Sequence, residues 1–209
     1  MLLALDTSTA AVTVAVHDGT GVAAEAVTID ARRHTELLAP MIVQVLSDAA
    51  VDRTDLTAVA VGVGPGPFTG LRIGLATART LGAALNIPVH GVCSLDVIAA
   101  DVAVDTSFVV VTDARRREVF WAEYDGRRRT AGPAVVPPGD VATDRPAAGA
   151  GARLFPDAFA TPVDPEFPSA ATLGAMIADG TADVVVPEPL YLRRPDARPP
   201  GQRKPVLAR

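Results

Sequence analysis

The hydrophobic pattern at the start of the chain predicts a three-stranded β-meander. Apolar strands are expected at Leu2–Leu5, Ala11–Val16 and Val22–Ile29. The Asp18-Gly19 pair between the last two is typical of a tight hairpin turn, because glycine readily adopts the positive φ that such turns need. We therefore expect the chain to open with an antiparallel sheet.

A first helix is predicted at Thr35–Ala50, because Leu38, Met41 and Ile42 recur at helical spacing on one face. Pro40 lacks a backbone N–H, so we expect it to kink the first turns or delay the helix start. Shorter helices are expected near the middle and the end of the chain, at Leu95–Ala103 with Ser94 as the cap and at Ser169–Asp179.

A loop rich in glycine and proline joins an apolar strand, Val59–Val63, to a second helix at Thr69–Asn86, with Thr69 as the expected N-cap. Such a loop brings the backbone close to an anion at the helix N-terminus or to another chain. A P-loop is excluded because no Lys-Ser or Lys-Thr pair follows the glycine loop. The dinucleotide-binding fingerprint is excluded because no three glycines of the loop have G-x-G-x-x-G spacing.

The second helix carries a small residue at every fourth position: Gly70, Gly74, Ala78 and Gly82. Glycine inside a helix costs about 1 kcal/mol relative to alanine, so the repeat indicates very close packing against another element. Two interpretations stay open, namely packing within the same domain and packing against a helix of another chain. A membrane span is excluded by Arg72 and Arg79.

The opening pattern recurs in the second half of the chain. A strand at Phe108–Thr112 ends at Asp113, and Glu118–Tyr124 and the Asp125-Gly126 pair repeat the second strand and its hairpin. Asp6 and Asp113 are 107 residues apart, as are the two Asp-Gly pairs. We therefore predict an α/β protein built from a duplicated unit, with an N-terminal subdomain at 1–104 and a reduced second one at 105–192.

Composition indicates an intracellular protein without membrane association. Cys93 is the only cysteine, so an internal disulfide and a cysteine-type zinc site are excluded. No apolar run reaches the ~18 residues of a membrane helix, and no basic leader precedes the first strand. We expect a cytoplasmic protein.

The net charge of −5 is unevenly distributed. Residues 193–209 hold six basic residues against Asp196 alone, which leaves −10 on the rest. An acidic body argues against broad nucleic-acid binding by the folded part. The proline-rich basic tail is expected to be disordered, and an RNA-binding role for it stays an alternative.

Five segments in this order and spacing resemble the TsaB (YeaZ) family: LALDTST at Leu3–Thr9, RRHTELLAPMI at Arg32–Ile42, GVGPGPFTGLRIG at Gly62–Gly74, DARRREVFWAEY at Asp113–Tyr124 and PLYLR at Pro189–Arg193. The resemblance implies a duplicated actin-like, ribonuclease-H-like (ASKHA) fold, with mixed sheets flanked by helices. It also implies a non-catalytic subunit needed to form N6-threonylcarbamoyladenosine at position 37 of tRNAs that read codons beginning with A.

The resemblance implies several partners. These are a TsaD-like catalytic paralogue, a TsaE-like ATPase, tRNA reached indirectly through the complex, and a second copy when the chain is alone. No cofactor is implied for the chain by itself, and ATP or ADP within the complex stays open. The predicted partner-binding residues lie on or beside the two long helices: His34, Leu38, Met41, Ile42, Gly70, Arg72, Gly74, Ala78 and Gly82.

The residues themselves argue against catalysis by this chain alone. Its three histidines have no His-x-x-x-His spacing, and no G-x-S-x-G elbow is present. We expect His17 to be exposed and His90 to be structural, while His34 has either a local hydrogen bond or a functional role. Secondary candidates for phosphate or metal are Asp6, Asp113 and Arg115, so a stand-alone kinase or hydrolase of the same superfamily stays the alternative.

Overall fold

A computed structural model describes residues 1–193 of the chain. Its first half contains the strands β1 Leu2–Asp6, β2 Ala11–His17, β3 Val22–Ile29, β4 Ala58–Gly62 and β5 Val89–Val92, and the helices α1 His34–Asp48, α2 Phe68–Leu85 and α3 Ser94–Ala100. Its second half contains the strands β6 Phe108–Asp113, β7 Val119–Asp125, β8 Arg128–Val136, β9 Thr143–Ala148, β10 Phe159–Pro162 and β11 Val184–Val185, and the helices α4 Ala150–Leu154 and α5 Ala170–Ala178.

Within these residues the strands form two mixed sheets that repeat one topology. The first sheet has the order β11-β5-β4-β1-β2-β3 and the second the order β10-β9-β6-β7-β8. In each, an antiparallel meander begins the sheet, and later strands add in parallel beside its first strand. The repeated order is the duplicated unit that the 107-residue offset predicts.

The two halves exchange elements. Helix α3 follows β5 but packs against β6 and β7 of the second sheet, whereas α5 follows β10 and packs against β1 and β2 of the first. Strand β11 also returns, pairing antiparallel with β5. The division into 1–104 and 105–192 stays a prediction, and α3, α5 and β11 each pack across it. The expected disorder of the tail concerns residues that, apart from Arg193, lie outside the described part.

The first sheet is covered on both faces. Because successive side chains of a strand point to opposite faces, Leu3 and Leu5 of β1 pack on the side of α1 and α2, while Leu2 and Ala4 pack on the side of α5. Helices α1 and α2 are thus neighbours on one face, and their other sides point away from the sheet.

Two predicted N-caps are wrong, and Pro40 does not delay the start of helix α1. Helix α2 begins at Phe68 with Pro67 at the N-cap, and Thr69 lies inside the first turn. Helix α3 has Cys93 at its N-cap, because the hydroxyl of Ser94 bonds elsewhere. Helix α1 runs through Pro40, which lies on the exposed side, where water can satisfy the carbonyl that a missing N–H leaves unpaired.

Candidate functional site

The glycine stripe of α2 packs against the chain's own strands. The hydroxyl of Thr7, which follows β1, donates to the Gly70 carbonyl at 2.7 Å and accepts the Gly74 N–H at 3.1 Å. A Cβ atom at Gly70 would lie 2.4 Å from the Thr7 carbonyl oxygen, and one at Gly82 would lie 2.3 Å from a methyl of Val89. The interpretation of an open groove for another chain's helix is therefore wrong, and same-domain packing is correct.

The other predicted partner-binding residues are also inside the molecule, with one exception. Leu38, Met41 and Ile42 belong to the core cluster between α1 and the first sheet, and each is at most 8% exposed. His34 is 7% exposed and donates from Nε2 to the Thr9 carbonyl at 2.8 Å. Only Arg72 lies on the surface. A direct role of the buried residues in pairing stays untested, and they are not available for it in this conformation.

The exposed sides of α1 and α2 present a surface of mostly small, uncharged side chains. We call this surface the outer helix face and define it by Ala39, Val43, Ser47, Ala76, Thr80 and Ala83. Val43 is the largest apolar side chain of this set and is 68% exposed. Small residues thus lie on both sides of α2, with the regularly spaced glycines on the buried side.

The carboxylate of Asp6 is fully engaged inside the protein. It is 0% exposed, and its oxygens accept the Ser8 N–H at 2.7 Å and the Ser94 hydroxyl at 2.6 Å. The Ser94 oxygen in turn accepts the Gly64 N–H at 3.1 Å. Burial raises the pKa of Asp6 above its ordinary value, against the lowering effect of these hydrogen bonds. Asp6 therefore fixes the glycine loop to the end of β1.

The corresponding turn of the second unit is more open. One carboxylate oxygen of Asp113 accepts the Arg115 N–H at 2.7 Å, and the other lies 3.2 Å from the guanidinium of the same arginine. Both residues line a cavity of about 210 Å³ between the two halves, together with Ser8 and Thr112. The fold thus brings the two repeated turns together, although the Asp6 carboxylate itself is not part of the lining.

The remaining histidines lie on separate strands of the first sheet, His17 on β2 and His90 on β5. His17 is 5% exposed, and its Nδ1 accepts the Gly19 N–H at 3.0 Å, so the expected exposure is wrong. The reason is that α5 covers this end of β2, with Gly174 close to the ring. His90 is partly buried in β5. Among residues 1–193, no three or more His, Cys, Asp or Glu side chains are grouped so that they could hold a metal ion.

Similarity to known proteins fits this architecture. A family model described as "TsaD: tRNA N6-adenosine threonylcarbamoyltransferase" matches residues 21–186. An uncharacterised protein of Mycobacterium tuberculosis is 52% identical over 204 residues, which cover 95% of this chain and 94% of that protein. The Escherichia coli tRNA threonylcarbamoyladenosine biosynthesis protein TsaB is 39% identical over 127 residues, or 59% of this chain and 54% of that protein.

A solved structure extends the similarity over almost the whole chain. YeaZ from Pseudomonas aeruginosa superimposes with a TM-score of 0.77 at 30% identity, covering 91% of this chain and 99% of that one. Two mixed sheets of equal strand order, flanked by exchanged helices, define an actin-like fold of the ASKHA type. The chain belongs to the TsaD/YeaZ (TsaB) family. No helix within the described residues is long and apolar enough to cross a membrane.

Proposed function

We propose that this chain is a non-catalytic subunit that pairs, in the cytoplasm, with a TsaD-like catalytic paralogue. The pair, joined by a TsaE-like ATPase, forms N6-threonylcarbamoyladenosine at position 37 of tRNAs that read codons beginning with A. Membership of the TsaD/YeaZ (TsaB) family supports the modification pathway. The division of labour between the subunits is our inference from the residues.

The outer helix face is the observation that carries the pairing. Two adjacent helices expose Ala39, Val43, Ala76 and Ala83, and the exposed Arg79 lies one turn from both Ala76 and Ala83. Small side chains allow two helix pairs to approach closely, and burial of exposed apolar surface drives association. We infer that the paralogue docks here, and that a second copy of this chain occupies the same face when the paralogue is absent.

The state of the two acidic turns supports a non-catalytic role. A stand-alone kinase of this fold class would need carboxylates open to a metal ion and to phosphate. The Asp6 carboxylate is instead buried between Ser8 and Ser94, and that of Asp113 is bonded to Arg115. Metal-dependent nucleotide turnover by the purified chain would favour the alternative of a kinase or hydrolase that acts alone.

A single charge on the outer helix face tests the pairing. Ala76→Arg places a long cation at the centre of the face, while arginine has a high helix propensity and preserves α2. We expect binding of the TsaD-like paralogue to weaken at least tenfold in calorimetric titration, and the homodimer to dissociate in sedimentation. Ala178→Arg is the matched control, because Ala178 is exposed on α5, on the opposite side of the sheet.

Two results would contradict the docking assignment. One is undiminished binding by Ala76→Arg, and the other is an equal loss in Ala178→Arg. Either result would move the interface away from the outer helix face.

A further inference from the structure

A second surface feature is a cleft where the two halves meet. It has a volume of about 390 Å³ and lies between the start of α2, the turn after β6 and residues 191–193. We call it the aromatic–arginine cleft and define it by Phe68, Arg115, Arg116, Phe120, Tyr191 and Arg193. It is separate from the outer helix face and adjoins the cavity between the two acidic turns, since Pro67 and Arg115 line both.

The cleft holds the exposed aromatic side chains of the protein. The chain has nine aromatic residues, all within residues 1–193, and only Phe68 and Tyr191 are exposed, at 41% and 39%. Their rings stack with centroids 4.9 Å apart and planes at 25°. The Arg72 guanidinium lies 3.6 Å from the Phe68 ring centroid, and its Nε donates to the Tyr191 hydroxyl at 3.0 Å. The stack is therefore fixed in position before any ligand arrives.

The cleft is also rich in positive charge on an otherwise acidic body. Residues 1–192 carry a net charge of −10, yet three arginines line this cleft and Arg72 borders it. Arg115 is paired with the Asp113 carboxylate and Arg193 with that of Glu118. Guanidinium groups bind phosphate through paired N–H donors, so this local excess of arginine suits an anionic ligand.

An aromatic platform beside arginines is the arrangement that nucleic-acid-binding proteins use for single strands, with bases stacked on rings and phosphates held by cations. We propose that the aromatic–arginine cleft binds one nucleotide unit of single-stranded RNA, with the base stacked on Tyr191 and the phosphate held by Arg115. The half-exposed stack favours a nucleotide within a strand over an enclosed free nucleotide. The choice of RNA rests on the proposed function, since tRNA is the substrate of that pathway.

The test measures fluorescence anisotropy of a short, labelled single-stranded RNA with the full chain and without the paralogue. We expect Tyr191→Ala to bind about tenfold more weakly or worse, and Tyr191→Phe to bind as wild type because it keeps the ring. Arg115→Ala should weaken binding and lower the slope of log affinity against log salt by about 0.7. Arg53→Ala is the charge-matched control at an exposed position away from the cleft, and it should bind as wild type.

Thermal unfolding checks that each variant is folded. If Tyr191→Ala is not folded, the result for Arg115→Ala decides the test. If Tyr191→Ala and Arg115→Ala both bind RNA as tightly as wild type, the proposal is overturned and any RNA binding belongs to other basic residues. Displacement of the RNA by equimolar AMP would also overturn it in favour of a free nucleotide. Because the paralogue is absent from the assay, failure of RNA binding leaves the pairing hypothesis intact, and failure of pairing leaves this one intact.

Discussion

Replacing Gly74 by alanine tests how α2 is held on the first sheet. The added methyl would lie 2.4 Å from the Thr7 hydroxyl oxygen and 3.3 Å from a methyl of Leu5. Thr7 is 2% exposed, and its hydroxyl makes both hydrogen bonds that tie β1 to α2. The substitution therefore displaces a buried, bonded group.

The expected cost follows from three contributions. Alanine gains about 1 kcal/mol over glycine in a helix. Overpacking a closed core costs about 1–3 kcal/mol. Loss or distortion of the two Thr7 hydrogen bonds costs about 0.5–1.5 kcal/mol each. We therefore expect Gly74→Ala to lower the free energy of unfolding by about 1–5 kcal/mol in urea titrations, despite its better helix propensity.

A double-mutant cycle makes the reasoning specific. Thr7→Ala removes the oxygen that the new methyl meets, so Gly74→Ala should cost little in that background, and the coupling should be about as large as its cost in wild type, about 1–5 kcal/mol. Gly70→Ala is the control, because its methyl would meet the Thr7 backbone carbonyl, which Thr7→Ala does not remove. The packing would be refuted if Gly74→Ala were as stable as wild type, or if its loss of unfolding free energy simply added to that of Thr7→Ala. Either result would favour the interpretation of an open groove.

Two further predictions concern pH. Burial raises the pKa of Asp6 above 3.8, so the stability gained from the protonated Asp6 side chain is fully present below pH 3.8 and is lost as pH rises through the raised pKa. The free energy of unfolding of wild type relative to Asp6→Asn should fall over that range. A difference that stays constant with pH in urea unfolding would contradict this prediction. The hydrogen bond from Arg145 lowers the pKa of Glu123 below 4.5. The stability gained from this ion pair is therefore present above pH 4.5 and is lost as pH falls through the lowered pKa. Arg145→Ala should cost under about 1 kcal/mol at neutral pH, since both side chains are about one-third exposed, and less in acid; a cost that grows in acid would be inconsistent.

Local patterns predicted β1–β4, β6 and β7, because alternation and turn residues are signals carried by neighbouring residues, whereas β9 and β10 were not predicted. The meander of β1–β3 follows from alternation and an Asp-Gly turn, and its repeat at β6–β8 follows from the constant offset. The exchange of α3 and α5 between the sheets was not predictable in this way. It depends on packing between segments far apart in the chain, which also explains why His17 is buried.

The candidate sites show the same limit. Both sides of α2 carry small residues, Gly70 and Gly74 on one side and Ala76 and Thr80 on the other. Periodicity finds both stripes, but only the position of Thr7 shows which of them is inside. Ser94 likewise has the pattern of a helix cap, yet it bonds a carboxylate 88 residues away. The aromatic–arginine cleft is also formed by segments that are far apart in the chain, so no local sequence motif predicts it.

The most direct test of the account is a reconstitution of threonylcarbamoyl transfer to tRNA. The reaction contains the TsaD-like paralogue, the TsaE-like ATPase with ATP, threonylcarbamoyl adenylate as the donor, and tRNA. It is run with the wild-type chain, with Ala76→Arg, with Ala178→Arg and without the chain, and the chain is also assayed alone. We predict transfer with wild type and Ala178→Arg, little transfer with Ala76→Arg or without the chain, and none by the chain alone. Transfer by the chain alone, or full transfer in its absence, would contradict the proposed role as a docking subunit.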